Sequence, residues 1–179
     1  MPVDMKQMIA ETLVKLLEQK SVDKITVKEL VDACGISRQG FYYHFQDIME
    51  VIEWITSQAI QRAVDVSLAA ATPQEAVKAV ILTLGKNRKL IQHLMASQRR
   101  AEIERLLVES MRTYLSKVLR AKAAGLTVKP SDLEAAIHFY SYGLVGMLAE
   151  TLDHEIDADT AADQFCRLLT GDIWNLPES

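Results

Sequence analysis

Residues 26–45 read TVKELVDACGISRQGFYYHF. Thr26, followed three positions later by Glu29, is a capping box, in which the hydroxyl accepts the Glu29 N–H and the carboxylate reaches back. The pattern predicts a helix that turns Val27, Leu30 and Val31 inward and stops near Ala33, at the Cys34-Gly35 turn. Ser37 is the natural cap of a second short helix ending around Phe45. At about 100° per residue, Phe41 and Phe45 fall about 40° apart and form an inward face, while Arg38, Gln39, Gly40, Tyr42 and Tyr43 spread over the remaining arc. Two short helices joined by a glycine-bearing turn make a helix-turn-helix candidate.

The outward set suits a DNA major groove. Arg38 can pair bidentately with a guanine edge and Gln39 with adenine, and the tyrosine hydroxyls can reach phosphates. Gly40 weakens a helix by about 1 kcal/mol relative to alanine, but lets a duplex approach the backbone closely. Seven residues at about 1.5 Å each span about 10 Å, comparable to a groove about 12 Å wide. Charge argues the other way. The chain's net charge is −4, and its first fifty residues hold six Lys and Arg against eight Asp and Glu. Phosphate neutralisation dominates DNA affinity, so the assignment rests on local geometry and motif.

Around this stretch the chain reads as helical throughout. A first helix is expected at 5–19, with Asp4 as its cap and Met8, Ile9, Leu13, Leu16 and Leu17 at helical spacing. DIME (Asp47–Glu50) opens a long helix to about Ala70, and Thr72-Pro73 caps and begins the next. Further helices are expected at 74–85, 87–97, 100–123, 131–152 (capped by Ser131 or Asp132) and 158–171. The fold class is all-α, about nine helices, with an N-terminal module at 1–46 and a larger helical domain at 47–179.

Composition agrees with this class. Apolar residues make up 49% and charged residues 25%, as in soluble globular proteins. Cys34 and Cys166 match no metal spacing and are too few for a disulfide framework; Cys34 reads as a buried, inert thiol. The opening MPVDMKQMIAETL lacks the apolar region of a signal peptide, and no apolar run reaches the ~18 residues of a membrane span. A cytoplasmic setting with no membrane partner is expected. The acidic DHEIDAD stretch (Asp153–Asp159) lacks the glycine and spacing of a calcium loop and reads as a solvated linker. No catalytic motif emerges: there is no G-x-S-x-G, no HExxH and no phosphate-binding glycine loop.

The segment ITVKELVDACGISRQGFYYHFQDIMEVI resembles the N-terminal helix-turn-helix of TetR-type bacterial transcriptional regulators. The carrying features are the Thr-led helix, the turn, and the aromatic-Tyr-x-x-Phe ending. The resemblance covers about residues 5–60. It implies a homodimer that binds an operator in double-stranded DNA, with Thr26, Ser37, Arg38, Gln39, Tyr42, Tyr43 and His44 at contact positions and Gly40 beside them. It implies no cofactor, but a small-molecule effector held by the larger domain. Two departures stand out: Gly40 replaces a residue with a side chain, and Gln46-Asp47 stands where the family commonly has a lysine. The stretches NRKLIQHLM and FYSYGLVGMLAETL are similar to regulators of dihydroxyacetone kinase operons. That likeness implies an activator working with a kinase-like protein coregulator as the alternative to a repressor.

Two further sets are expected in the larger domain. His93, Met111, Tyr114, His138 and Tyr140 are candidates for an effector pocket, which needs apolar walls with a few convergent polar groups; satisfied core or surface residues are the bland alternative. Phe139, Gly143, Gly146 and Met147, with Phe165, Leu168 and Leu169, are candidates for a two-fold four-helix dimer interface, against an ordinary intrachain core.

Overall fold

The computed structural model describes residues 4–122, 128–151 and 157–170. Nine α-helices occur among them: α1 (Met5–Leu17), α2 (Val27–Cys34), α3 (Arg38–His44), α4 (Ile48–Ala69), α5 (Pro73–Lys86), α6 (Arg88–Met95), α7 (Arg100–Lys122), α8 (Pro130–Thr151) and α9 (Ala158–Thr170). No strand forms among the described residues. None of their helices is long and apolar enough to cross a membrane.

Most helix starts are set by the side chains expected. Asp4 accepts from the Lys6 and Gln7 N–H groups, Ser37 from Gly40 and Thr72 from Glu75, with Pro73 in the first helical position. Asp47 accepts from the Glu50 N–H, and the Glu50 carboxylate returns to Gln46. Two starts differ from expectation. Thr26 accepts from the Glu29 N–H at 3.2 Å, but the Glu29 carboxylate pairs with Lys20 instead of closing the box. A cation nine residues upstream is the stronger partner for a carboxylate than one more amide. α8 begins at Pro130, not at a Ser131 or Asp132 cap; the Lys129 carbonyl accepts from both Asp132 and Leu133. Proline's fixed φ already suits the first helical position.

The chain divides into two compact units. The first comprises Met1–Ala59 with Lys89–Ser110. Here α1 packs on α2 and α3, and Ile9, Leu13, Leu17, Leu30, Val31, Phe41, Phe45, Val51 and Ile52 are buried. Between α1 and α2 the chain makes a single 3-10 turn at Val22–Lys24 that buries Val22. The second unit comprises Ile60–Arg88 with Met111–Ser179. Its core gathers Val64, Tyr114, Leu115, Val118 and Ile137, with Met111, Leu133, Tyr140 and Leu144 packed around them. α5 lies against α9, joined by a Lys78–Asp159 ion pair. Asp157 begins α9, and its carboxyl is held below the usual range by the Thr160 hydroxyl and N–H it accepts. The remaining residues of the acidic stretch before it, 153–156, and Trp174 lie outside the described residues.

One buried polar pair lies in the second core. Ser67 and Tyr114 share a hydrogen bond of 2.8 Å, with Ser67 fully buried. Burial pushes the Tyr114 phenol above its ordinary value, and the Ser67 bond offsets only part of that. A raised phenol contributes stability that is whole below its unfolded value of about 10 and is lost as pH rises through the folded value. Tyr114→Phe is therefore expected to cost about 1 kcal/mol at neutral pH, by stranding the Ser67 hydroxyl, while reducing the alkaline loss of stability. Urea unfolding at neutral pH and above pH ~10 measures both effects.

Candidate nucleic-acid interface

The exposed side of α3 is built by its two ends. Gly35, at φ 69°, closes α2 in the left-handed conformation that glycine adopts without a steric penalty. The Gly35 and Ile36 N–H groups return to the Asp32 and Val31 carbonyls, which fixes the turn. Ser37 then starts α3, and the chain leaves it at Phe45 with extended backbone. Between these ends Phe41 is 0% exposed and Phe45 2%, whereas Tyr42 is 57% and Tyr43 84%. The Phe41 ring meets those of Tyr42 edge-on at 5.4 Å and Phe45 at 6.1 Å. Phe45 also takes the Trp54 ring edge-on at 6.3 Å and the Lys6 ammonium over its face at 5.3 Å.

Arg38 and Gln39 stand exposed at the start of α3, and neither side chain has a hydrogen-bond or ion-pair partner among the described residues. Both can present their full donor sets to a ligand. Thr26 and Ser37 are exposed and already accept backbone N–H bonds, so each keeps its hydroxyl proton free to donate outward. Either can cap its helix and hold a phosphate oxygen together. His44 is half-buried, its ring edge-on to Tyr43 at 5.0 Å.

Several of the acids among the first fifty residues have partners within the fold. The carboxylates of Asp4, Asp47 and Glu50 are turned onto helix-start amides, Glu29 is paired with Lys20, and Asp23 accepts from Gln98 N–H. These acids are engaged in holding the local fold.

Gly40 is not required by crowding. A Cβ there would meet only the Ser37 hydroxyl oxygen, at 3.4 Å, an ordinary contact. Gly40→Ala is thus expected to raise the thermal midpoint, by an amount corresponding to about 0.5–1 kcal/mol of helix propensity. It should lower DNA affinity where the duplex lies against the α3 backbone. Thermal unfolding and a DNA titration of one preparation separate the two effects.

Residues 9–53 match the model described as bacterial regulatory proteins, tetR family, and residues 71–171 that of a transcriptional regulator C-terminal region. The chain belongs to the TetR family. It is a transcriptional regulator and not an enzyme; TetR-family regulators bind DNA, usually as dimers. Its fold is similar to three solved structures. The dihydroxyacetone kinase operon activator DhaS superposes with TM-score 0.72 at 15% identity, over 98% of this chain and 99% of that one. The fatty acid degradation regulator FadR from Bacillus halodurans gives 0.67 at 17%, over 97% and 98%. A TetR transcriptional regulator from Rhodococcus sp. RHA1 gives 0.60 at 18%, over 92% and 94%. No curated protein matches by sequence.

The other expected site residues separate. Met111, Tyr114 and Tyr140 meet around the second core. His93 lies in the first unit, with ring Nδ1 2.5 Å from the Leu17 carbonyl. His138 is exposed on α8 with its ring 5.0 Å from Tyr142. On α8, Phe139 is 72% exposed and Met147 43%, with nothing within 4 Å of where a Cβ would stand on Gly143 or Gly146. Tyr142, outside the expected interface set, joins this face at 58% exposure, and Leu168 of α9 is also exposed. Phe165 is half-buried, and the Leu169 side chain lies outside the described residues. Cys34, expected to be buried, is half-buried, while Cys166 is buried and its thiol pushed up by that burial and by Asp163.

Proposed function

We propose that this regulator binds a palindromic operator as a homodimer and, by the family's usual mode, represses transcription until an effector acts on its larger domain. Residues 1–46 are then the DNA-binding domain, and residues 47–179 the ligand-binding and dimerisation domain. The protein works in the cytoplasm, where bacterial DNA lies. The observation that carries the reading is the unpartnered, outward Arg38-Gln39 pair at the start of α3, flanked by exposed Tyr42 and Tyr43 over a buried Phe41-Phe45 anchor. Thr26, Ser37, Gly40 and His44 complete the contact surface, with hydroxyls and amides on phosphates and Arg38 and Gln39 on base edges.

The exposed α8 face of Phe139, Gly143, Gly146 and Met147, with Phe165, Leu168 and Leu169 of α9, is the surface assigned to the second copy. A two-fold pairing places half-sites about one DNA turn, ~34 Å, apart. Effector control is assigned to the region around Met111, Tyr114 and Tyr140. An effector shifts occupancy only through unequal affinity for the DNA-competent and incompetent states.

The test is selection of fragments from the protein's own genome, followed by footprinting. Protection of two inverted half-sites by an unaided dimer supports the reading, and failure to retain any fragment over random DNA at moderate salt sinks it. Arg38→Ala is expected to relax preference at one base position at a cost of about 1–3 kcal/mol; a uniform loss across sequences would make Arg38 a phosphate contact.

A second reading is favoured by the acidic balance of residues 1–50 and by Gln46-Asp47 at a position that commonly carries a cation. In it the protein is an activator that relies on a protein coregulator, as in dihydroxyacetone kinase operon regulation. Recovery of a stoichiometric protein complex without DNA, together with feeble DNA retention by the dimer alone, distinguishes it.

A further inference from the structure

The compact unit that carries α1, α2 and α3 also contains α6 and the first part of α7, some seventy residues later in the chain. Two polar ties within that unit cross the gap. Leu17 ends α1, and its carbonyl is one of the four at a helix C-terminus that have no partner within the helix. The neighbouring Val14 and Leu16 carbonyls accept from Glu18, Gln19 and Lys20. Leu17 is served instead by the ring Nδ1 of His93, in the last turn of α6. A carbonyl only accepts, so Nδ1 carries the proton in this bond. Five residues on, in the turn between α6 and α7, the Gln98 N–H donates to Asp23 Oδ2 at 2.9 Å. Asp23 sits in the 3-10 turn, where its carboxylate also accepts from the Ser21 hydroxyl at 3.3 Å.

These ties grip the α1–α2 connection at both ends: Leu17 where α1 stops, and Asp23 just before Ile25 and the Thr26 cap. That connection leads directly into α2, which packs on α1 together with α3. We propose that the α6–α7 corner is a brace for the DNA-reading helix, with His93 and Asp23 as positioning residues that set DNA affinity without touching DNA. The brace acts by holding residues 18–25 in one conformation, so that ordering them adds no cost when DNA binds. This inference rests on the DNA-binding reading of α3.

The test uses the full-length chain and DNA that the wild-type protein selects from a random-sequence pool. His93→Leu removes the donor at similar bulk, His93→Asn keeps an N–H where Nδ1–H stood, and Asp23→Ala removes the second tie. His93→Leu and Asp23→Ala are each expected to lower affinity about five- to tenfold, the scale of one lost hydrogen bond. Base preference and salt slope should stay unchanged, because no base or phosphate contact is removed. His93→Asn should recover most of the loss, and amide exchange at residues 18–25 should quicken in His93→Leu alone of the two His93 variants. Wild-type affinity in both loss variants, or a loss that His93→Asn does not restore and that follows the unfolding midpoint, overturns the brace. If the wild-type chain selects no DNA, the functional reading fails, and unchanged exchange at 18–25 in His93→Leu then overturns the brace by itself.

Discussion

Phe41→Ala is expected to lower the free energy of unfolding by about 3–5 kcal/mol and to abolish DNA binding with it. Phe41 is fully buried and holds the rings of Tyr42 and Phe45 in contact. Its removal leaves a cavity under a helix of only seven residues, which has little stability of its own. Domains of this size are stable by about 5–15 kcal/mol, so the loss is a large share of the total. Tyr43→Ala is the informative contrast. At 84% exposure Tyr43 contributes little to the core, and the variant should unfold within about 0.5 kcal/mol of wild type while binding DNA less tightly. Urea unfolding curves and DNA titrations of both variants measure this division of labour along one helix. A Tyr43→Ala chain as unstable as Phe41→Ala would refute it.

Phe139→Asp is expected to convert the dimer to a monomer without unfolding it. Phe139 is 72% exposed, so a carboxylate there costs the isolated chain little. In the proposed pairing it is buried against the second copy, where central aromatic anchors are worth about 2–4 kcal/mol and an unpaired buried charge costs more. Gly143 and Gly146 stand open one and two turns along, leaving room for a large side chain of the other copy. Sedimentation across a concentration series should show the monomer at concentrations where wild type is dimeric, and affinity for a palindromic site should collapse to that of one half-site. A variant that remains dimeric moves the interface away from α8.

The helix-turn-helix was legible because its signals are local. Asp4, Thr26, Ser37 and Thr72 each cap within three residues, Gly35 marks its turn, and the 41/45 spacing separates core from surface in a single helical turn. Where a second signal competed, the side-chain cap did not decide the outcome. Glu29 was expected to close a capping box and instead pairs with Lys20, and α8 takes its start from Pro130 in place of a side-chain cap. The net acidity of the first fifty residues was legible from composition, but not which of those carboxylates cap helix starts or pair with Lys20.

Sequence by itself determined the class of this protein: an all-helical TetR-family regulator whose α3 turns phenylalanines in and Arg38, Gln39 and the tyrosines out. Helical period and capping suffice for that, because both act over a few residues. Only the tertiary structure decided which distant groups meet. It bound His93 to the end of α1 and joined Ser67 to Tyr114 across 47 positions. It also left Tyr142 on the open face of α8. Those outcomes depend on how helices far apart in the chain pack, and no spacing within one helix encodes them.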